Sequence, residues 1–355
     1  MTLFLHIGMP KTGTTTIQAF LDRNREKLAE RGVIVPKAAG GQNHRKLTAY
    51  ALDESETDHT RRMMGLLSPE RILRFRAKFE KKFASEARSW PAGSTVVMSG
   101  ENMSQLRQPE EVARLHHLLR PFCTDAIKII IYFRRQDLFY LSSYSQQIKA
   151  GRLTHWSDLS GDAKMRLYDY RRFLLPWATE FGKENILVRP FERGQMIKQD
   201  LMFDFVSILG LTDLGGLEIP ETQNQSLDAQ TSEFLRKMNP WFPRYIDDAV
   251  NPVRRQLVAA IETLSTGPRL RMASTSAIQF LSRFEKSNAE IARDYLGRED
   301  GVLFRDKPED EAESAPSLSL DQAIEISAKL WAHSQRAMPP MKLDATSEID
   351  PADTE

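Results

Sequence analysis

The chain has 355 residues, of which 41% are hydrophobic, and a formal net charge of +1. This length and apolar content suffice for a sizeable core, and we predict one large α/β domain with appendages. The near-neutral charge gives no indication of nucleic-acid or membrane binding, and the single cysteine, Cys123, excludes an intramolecular disulfide and a cysteine-ligated zinc cluster.

The charge is unevenly distributed along the chain. Residues 306–355 hold 12 acidic and 4 basic side chains, so the body is mildly cationic and the tail anionic. No apolar run approaches the roughly 20 residues that cross a bilayer. The apolar start "MTLFLHIG" has no basic leader and no small-residue cleavage site. With the lone cysteine, these features predict a cytoplasmic protein without a transmembrane segment.

Short β-branched runs alternate with longer segments of helical spacing. The predicted strands are 3–7, 32–36, 94–98, 127–133 and 185–191, and the predicted helices between them are 14–31, 69–88, 109–121, 137–150 and 165–181. This alternation predicts a P-loop-like three-layer α/β fold, in which helices flank a central parallel sheet. From about residue 195 the strand signal fades, and a helical cover is predicted.

Composition also divides the chain. Residues 1–305 form the predicted α/β domain, and 306–318 are an acidic linker with the composition of a disordered segment. Residues 319–355 are predicted to form a C-terminal helix and tail. Its apolar face either docks on the domain or pairs with another chain, which would make the protein an oligomer; the face consists of Leu320, Ile324, Ser327 and Trp331.

The stretch "HIGMPKTGTTT", residues 6–16, joins the first predicted strand to the first helix. Gly8, Gly13 and Thr15 fit the nucleotide-binding pattern G-x-x-x-x-G-K-[ST], but Thr14 stands at the lysine position and Lys11 lies three residues earlier. A glycine turn between a strand and a helix presents backbone N–H groups and the helix dipole to an anion.

Hydroxyl groups surround this turn, on Thr12, Thr14, Thr15 and Thr16. Glycines, lysine and hydroxyls together favour an anion site over the alternative, a plain turn with a threonine N-cap. In a nucleoside triphosphatase the lysine follows the second glycine and reaches the β and γ phosphates. Lys11 instead lies on the rising limb of the turn, where it would meet the bridging oxygen of a departing phosphate.

The segment "PKTGTTT", residues 10–16, resembles the 5′-phosphosulfate loop of sulfotransferases that use 3′-phosphoadenylyl sulfate (PAPS), whose usual form is P-K-[ST]-G-T-[TS]. In that family an arginine at a strand end and a serine eight residues later contact the 3′-phosphate of the donor. Arg134, Ser142 and the following x-Tyr144 reproduce this spacing, and Arg135 with Ser143 is an alternative register. Without the family, these residues read equally as a surface arginine pair beside a helix cap.

The resemblance covers roughly residues 3–230. Two softer matches are the segment 185–211, with its strand, acidic turn and "LGL" ending, and "NQSL" at 224–227, an element of bacterial glycan sulfotransferases. The resemblance implies PAPS as donor, 3′-phosphoadenosine 5′-phosphate as product, no metal, and a hydroxyl or amine acceptor on a glycan. Two features depart from the family: Thr16 and Ile17 replace a tryptophan that helps to hold adenine, and the C-terminal Arg-Lys-Gly segment is absent.

Sulfuryl transfer requires positive charge at the leaving oxygen and a base for the acceptor proton. Lys11 is the expected leaving-group stabiliser. The base is Glu101, after the strand "STVVM", or His44, in "GGQNHRK" after the second strand, because the family takes its base from either position. The structural alternatives are a helix N-terminal carboxylate and a solvated loop histidine. We expect His6 to be packed.

Several readings compete with this assignment. His116 and His117 have no partner motif and are read as structural. The basic segment 71–83 is a solvated helix face or a rim that attracts an acidic polysaccharide or the cofactor. A P-loop nucleotide kinase with a degenerate loop is disfavoured by Thr14 and by the lack of a magnesium-binding aspartate at a strand end. A noncatalytic nucleotide-binding partner protein is the alternative of a different class.

Overall fold

The computed structural model describes residues 1–56, 58–155, 165, 167–221, 226–247, 249–308 and 318–337. Residues 309–317 of the predicted linker and 224–225 of the "NQSL" element lie outside the described residues. The chain forms two compact units. The first comprises Met1–Tyr144, Trp156–Gln225 and Met272–Glu313, and the second comprises Ser145–His155, Ser226–Arg271 and Ser314–Glu355. All the predicted site residues belong to the first unit.

A five-stranded, wholly parallel sheet forms the centre of the first unit. The order across the sheet is β2-β3-β1-β4-β5, where the strands are β1 (Thr2–Ile7), β2 (Val33–Ile34), β3 (Thr95–Gly100), β4 (Ile127–Phe133) and β5 (Ile186–Pro190). Residues 129–133 of β4 are fully buried, as expected for a strand covered on both faces. The predicted α/β fold with a central parallel sheet is therefore confirmed.

The described residues also form fourteen α-helices, of which α10, α11 and α14 belong to the second unit. In chain order they are α1 (Thr14–Arg23), α2 (Arg25–Glu30), α3 (Arg45–Ala51), α4 (His59–Met63), α5 (Pro69–Ala87), α6 (Pro109–Leu119), α7 (Gln136–Lys149), α8 (Tyr170–Phe181), α9 (Leu201–Ile208), α10 (Ala229–Met238), α11 (Pro252–Leu264), α12 (Ser274–Ser282), α13 (Glu285–Leu296) and α14 (Leu320–Ala337). Polar N-caps fix several starts: Ser68 accepts from Arg71 N, and Asp200 accepts from Met202 N at 2.8 Å.

The predicted helix 14–31 is wrong in one respect, since it is two helices that meet at Asn24. The Asn24 side chain is buried and donates to Phe20 O and to Glu218 O, and its Oδ1 accepts from Glu218 N at 2.7 Å. These hydrogen bonds join the Asn24 amide to the backbone of Glu218, and they end the helix at Asn24, since asparagine has a low helical propensity.

Helix α1 is held against the sheet by its apolar face. Ile17, Phe20 and Leu21 are buried and share one cluster with Val97 of β3 and Ile130 of β4. Burying each such side chain stabilises the fold by roughly 1.5–3 kcal/mol. The start of α1, and with it the loop that precedes it, is therefore fixed at one edge of the sheet.

That edge is the carboxyl end of the strands. Ile7 of β1 pairs with Gly100 of β3 and with Ile131 of β4, so the residues that follow these strands lie side by side. From β4 to β2 the edge presents Arg134, the loop 8–13, Glu101 and the loop 36–44. Ligands of open α/β sheets bind at this edge.

The second unit is mainly helical. It contains α10, α11 and α14 together with a two-stranded antiparallel pair, β6 (Tyr245–Ile246) and β7 (Ala249–Val250). Helix α14 packs against α10 and α11 and buries Ile326, whereas Leu320, Ile324 and Trp331 are 76%, 56% and 70% exposed. Pairing of this exposed face with another chain stays a prediction.

None of the helices in the described part of the chain is long and apolar enough to cross a bilayer.

Candidate active site

The loop between β1 and α1 is a tight turn built on unusual backbone angles. Gly13 has φ 75°, and Lys11 has φ 65°, in the left-handed region that non-glycine residues seldom adopt. Such a conformation costs on the order of 1–3 kcal/mol and persists where the surrounding structure enforces it. The lysine is thus held in a fixed, strained position at the sheet edge.

Both glycines of this loop are required by close approaches. A Cβ on Gly8 would lie 2.9 Å from the Cα of Glu101, and a Cβ on Gly13 would collide with the side chain of Leu201. Gly8 N also donates to Gly100 O at 3.2 Å, which ties the loop to the end of β3. The glycines therefore bring the loop against Glu101 on one side and α9 on the other.

The predicted threonines shape the loop from within. Thr12 Oγ1 and Thr14 Oγ1 donate to Met9 O at 2.8 and 3.1 Å, and both side chains are buried. Thr16 is also buried, and Thr15 is partly exposed in the first turn of α1. The first N–H groups of a helix have no partner within the helix, so the start of α1 at Thr14 offers them to an anion held by the loop.

The structure brings Arg134 to this same loop. Arg134 follows β4, and its Nη1 donates to Ser142 Oγ at 2.9 Å and to Lys11 O at 3.2 Å. The carbonyl of Arg134 accepts from Tyr170 Oη at 2.5 Å, and Tyr170 stacks on Phe133 with 4.1 Å between ring centroids. The guanidinium is therefore positioned between the end of β4, α7 and the glycine loop.

The alternative register places its arginine elsewhere. Arg135 is buried and forms two hydrogen bonds to the Asp137 carboxylate, both at 2.8 Å. It also donates to Asp306 O at 2.7 Å. This bidentate pair occupies the Nε–Nη2 edge of the guanidinium, which would otherwise bind an anion. Of the two predicted pairs, only Arg134 and Ser142 are joined by a hydrogen bond in the described residues.

Glu101 is the first residue after β3 and lies beside the glycine loop. Its side chain is partly buried. Burial raises the pKa of the Glu101 carboxyl, and the positive charge of Lys11 opposes that rise. The two side chains thus interact electrostatically across the β1–β3 edge. A carboxylate with a raised pKa near a cation is suited to proton abstraction.

His44 has a different environment. Its Nδ1 accepts from Ser99 N at 2.8 Å, and its Nε2 donates to Pro36 O at 2.9 Å, which defines a neutral tautomer with both nitrogens bound to backbone. The ring is 1% exposed, and burial is the main reason that its pKa falls to about 4. His44 is therefore not the solvated loop histidine considered from the sequence; it is buried and links the loop 36–44 to β3.

His6 is packed, as predicted from the sequence. It is fully buried between Tyr132 and Phe205, and its Nδ1 bonds to Ser99 Oγ at 2.8 Å. Burial lowers its pKa to about 3. His116 pairs with Glu180 at 2.6 Å, between α6 and α8, which fits a structural role.

Sequence reasoning missed the groups that hold Arg134 in place. Tyr170 acts from a separate helix 36 residues away and left no local signal. Asp137 had a signal, because an acid two residues after Arg135 indicates a local ion pair that removes this arginine from anion binding. Among the described residues, no group of three or more His, Cys, Asp or Glu side chains is placed to hold a metal ion.

Comparison of this chain with known proteins shows distant similarity to two of them. No protein-family model matches it. An uncharacterized protein of Archaeoglobus fulgidus is 24% identical over 208 residues, 56% of this chain and 55% of that protein, so the chain spans about half the length of this relative. A sulfotransferase from Alicyclobacillus acidocaldarius, of known crystal structure, has a TM-score of 0.37 and 16% identity over 67% of this chain and 92% of its own.

Proposed function

We propose that the chain is a sulfotransferase that transfers a sulfuryl group from PAPS to a hydroxyl or amine acceptor. The observation that carries this proposal is the position of Arg134, whose Nη1 lies within hydrogen-bond distance of both Ser142 Oγ and Lys11 O. It joins a second anion-binding group to the glycine loop. A donor with phosphate groups at both ends, linked through a nucleoside, matches two such groups on neighbouring strands.

The residues present fit this donor better than a nucleoside triphosphate. Helix α1 begins after Gly13 without a side-chain cap hydrogen bond, which leaves its first backbone N–H groups available to an anion. Lys11 lies before the second glycine, and buried Thr14, at the triphosphatase lysine position, donates its hydroxyl to Met9 O. When bound, PAPS supplies the sulfuryl group and a phosphate that accepts the electron pair of the broken bond.

Four side chains then fill three roles. Lys11 neutralises charge at the oxygen between phosphate and sulfuryl, which is the interaction that gains strength in the transition state. Arg134 and Ser142 bind the 3′-phosphate and fix the donor. Glu101 takes the acceptor proton, because its carboxyl has a raised pKa and lies beside the loop, whereas both nitrogens of His44 are bound to backbone.

The adenine pocket differs from that of family members with a tryptophan after the threonines. Ile17 is fully buried in the core cluster, so its side chain cannot contact the adenine ring of the donor. We place the acceptor among carbohydrates, on the resemblance of "NQSL" to bacterial glycan sulfotransferases, and we propose that transfer proceeds in line without a metal.

Isothermal calorimetry tests the donor. We expect 3′-phosphoadenosine 5′-phosphate to bind without magnesium and more tightly than ATP with magnesium. Lys11→Ala and Arg134→Ala should each weaken binding by roughly tenfold or more, because a charge-assisted contact to phosphate is lost. Lys78→Ala and Arg255→Ala, on exposed faces of α5 and α11, are matched controls that should bind normally.

Two outcomes would overturn the assignment. Preference for magnesium ATP would indicate a kinase or ATPase. Tight binding of the nucleotide without sulfate transfer from PAPS to any glycan in a radiolabel screen would indicate a noncatalytic nucleotide-binding protein.

A further inference from the structure

A basic cleft of about 840 Å³ opens beside the loop 36–44, within the first unit. Its volume is in the range of ligand-binding pockets. The acidic lining residues are Asp22 and Glu26, and the basic lining residues are Arg23, Arg25, Lys27, Lys37, Arg45 and Lys46. The cleft therefore presents a strong excess of positive charge in a chain of nearly neutral total charge.

Arg25 connects the two walls of the cleft: one wall is the end of α1 with α2, and the opposite wall is the loop 36–44 with the start of α3. From the start of α2, its guanidinium donates to Val35 O at 2.6 Å, Pro36 O at 3.0 Å and Gly41 O at 2.7 Å. Pro36 O also accepts from His44 Nε2. Arg25 and His44 thus share the acceptor Pro36 O, and this shared contact holds the loop that lines the cleft in a defined position relative to β3, which Glu101 follows.

Three cations of the opposite wall have no acidic partner within ion-pair distance among the described residues: Lys37, Arg45 and Lys46. Glu86 lies near, but its carboxylate accepts from the backbone N–H groups of Lys37 and Ala38. Burial and the charge of Lys82 lower the pKa of Lys46, and the charge of Glu86 opposes this shift, so a bound anion would further stabilise the charged form of Lys46.

The loop 36–44 connects the cleft to β3, because Lys37, Gly40 and Gly41 line the cleft and His44 accepts from Ser99 N. The proposed donor lies on the β1–β4 side of the edge, between Lys11 and Arg134. The other side of Glu101, where β3 and β2 end, is left for the acceptor, and the loop 36–44 follows β2 there. The residues that line the cleft include no aromatic ring of the kind that stacks bases of single-stranded nucleic acid.

We propose that this cleft binds an acidic polysaccharide, which carries carboxylate or sulfate groups, and that this polysaccharide is the acceptor. The identity of the ligand as acceptor rests on the proposed function. The binding itself rests on the cleft, so the two can fail separately.

Fluorescence anisotropy with labelled carboxymethyl dextran, dextran sulfate and unmodified dextran of equal length tests the cleft. We expect the two anionic polymers to bind and neutral dextran to be inert. The variant Lys37→Gln/Arg45→Gln/Lys46→Gln should bind the anionic polymers at least about tenfold more weakly, because three ion contacts and their counterion release are lost. The control Lys78→Gln/Lys81→Gln/Arg255→Gln, with the same charge change on exposed surfaces, should change binding less than about twofold.

A glycine pair gives a second test that removes no contact. The Cβ positions of Gly41, in the cleft, and of Gly194, after β5, both face open space. Gly41→Glu should weaken polymer binding several-fold, on the order of one repelled charge at close range, and Gly194→Glu should leave it unchanged. Circular dichroism confirms that each variant is folded.

The outcomes separate the two proposals. Equal losses in the cleft and control variants, or equal binding of neutral dextran, would overturn the cleft as a polysaccharide site. Tighter binding of a single-stranded oligonucleotide than of dextran sulfate would reassign it to nucleic acid. If 3′-phosphoadenosine 5′-phosphate fails to bind while the polymers do, the cleft stands as a binding site and the sulfotransferase proposal fails.

Discussion

Two loops leave the same edge of the sheet with similar composition and opposite character. The loop 8–13 contains two glycines and Lys11, and the loop 36–44 contains two glycines and His44. In the first, the threonine hydroxyls bond to Met9 O, and a strained backbone holds the lysine beside Glu101. In the second, the backbone binds both ring nitrogens of the histidine. Side-chain chemistry alone does not distinguish a reactive loop from a structural one; the partners of the polar atoms do.

The comparison predicts that changes in the first loop act on rate. With PAPS saturating and an acceptor identified, Lys11→Ala and Glu101→Gln should each lower the single-turnover rate by about 10²–10⁴-fold, the usual contribution of a charge stabiliser or general base. In Glu101→Gln the free energy of unfolding should change little, because the Glu101 carboxylate accepts no hydrogen bond from the described residues. A near-native rate in Glu101→Gln would remove it as the base.

The second loop should behave in the reverse way. His44→Ala removes two buried hydrogen bonds and leaves Ser99 N and Pro36 O without this partner, so the free energy of unfolding should fall by about 2–4 kcal/mol. Urea denaturation measures this loss. The rate per folded molecule should stay within about threefold of the wild type, as for a residue outside the chemistry. A loss of rate comparable to that of Glu101→Gln, with unchanged stability, would identify His44 as the base.

The pH dependence of stability sharpens the same contrast. The His44 pKa is about 4 in the folded protein and 6.5 in an unstructured chain, so between these values the unfolded state binds more protons. Stability should therefore fall as the pH is lowered from 6.5 to 4, by on the order of 3 kcal/mol from this residue. His44→Gln, which has no titratable ring, should show a shallower decline, measured by urea denaturation at several pH values. His6, whose pKa falls to about 3, contributes to the slope in both proteins.

Much of the fold could be predicted from the sequence, because it rests on local pattern. Each predicted strand overlaps an observed one, since a strand buried on both faces is a continuous apolar run. The break of the first helix at Asn24 could not be predicted, because its cause is a hydrogen bond to the backbone of Glu218, 194 residues away.

The candidate site divides in the same way. The spacing of residues 8–16 and of Arg134 and Ser142 can be recognised from the sequence, whereas the burial and hydrogen-bond partners of a titratable group cannot. The sequence favours Glu101 over His44 only slightly, because Glu101 follows a strand and His44 lies in a glycine-flanked loop; the larger difference comes from the backbone partners of His44, at Ser99 and Pro36. These partners are peptide groups, which every residue carries, so no sequence pattern marks them.

The smallest expected effect concerns two adjacent serines. Ser142 Oγ accepts from Arg134 Nη1, whereas the arginine of the other register, Arg135, is bound to Asp137. Ser142→Ala should therefore weaken the binding of 3′-phosphoadenosine 5′-phosphate by about three- to tenfold, the worth of one hydroxyl contact to an anion. Ser143→Ala is the matched control and should bind within error of the wild type, as measured by calorimetry. If Ser143→Ala causes the larger loss, the second phosphate lies with the next serine, and the Arg135–Asp137 pair must open when the nucleotide binds.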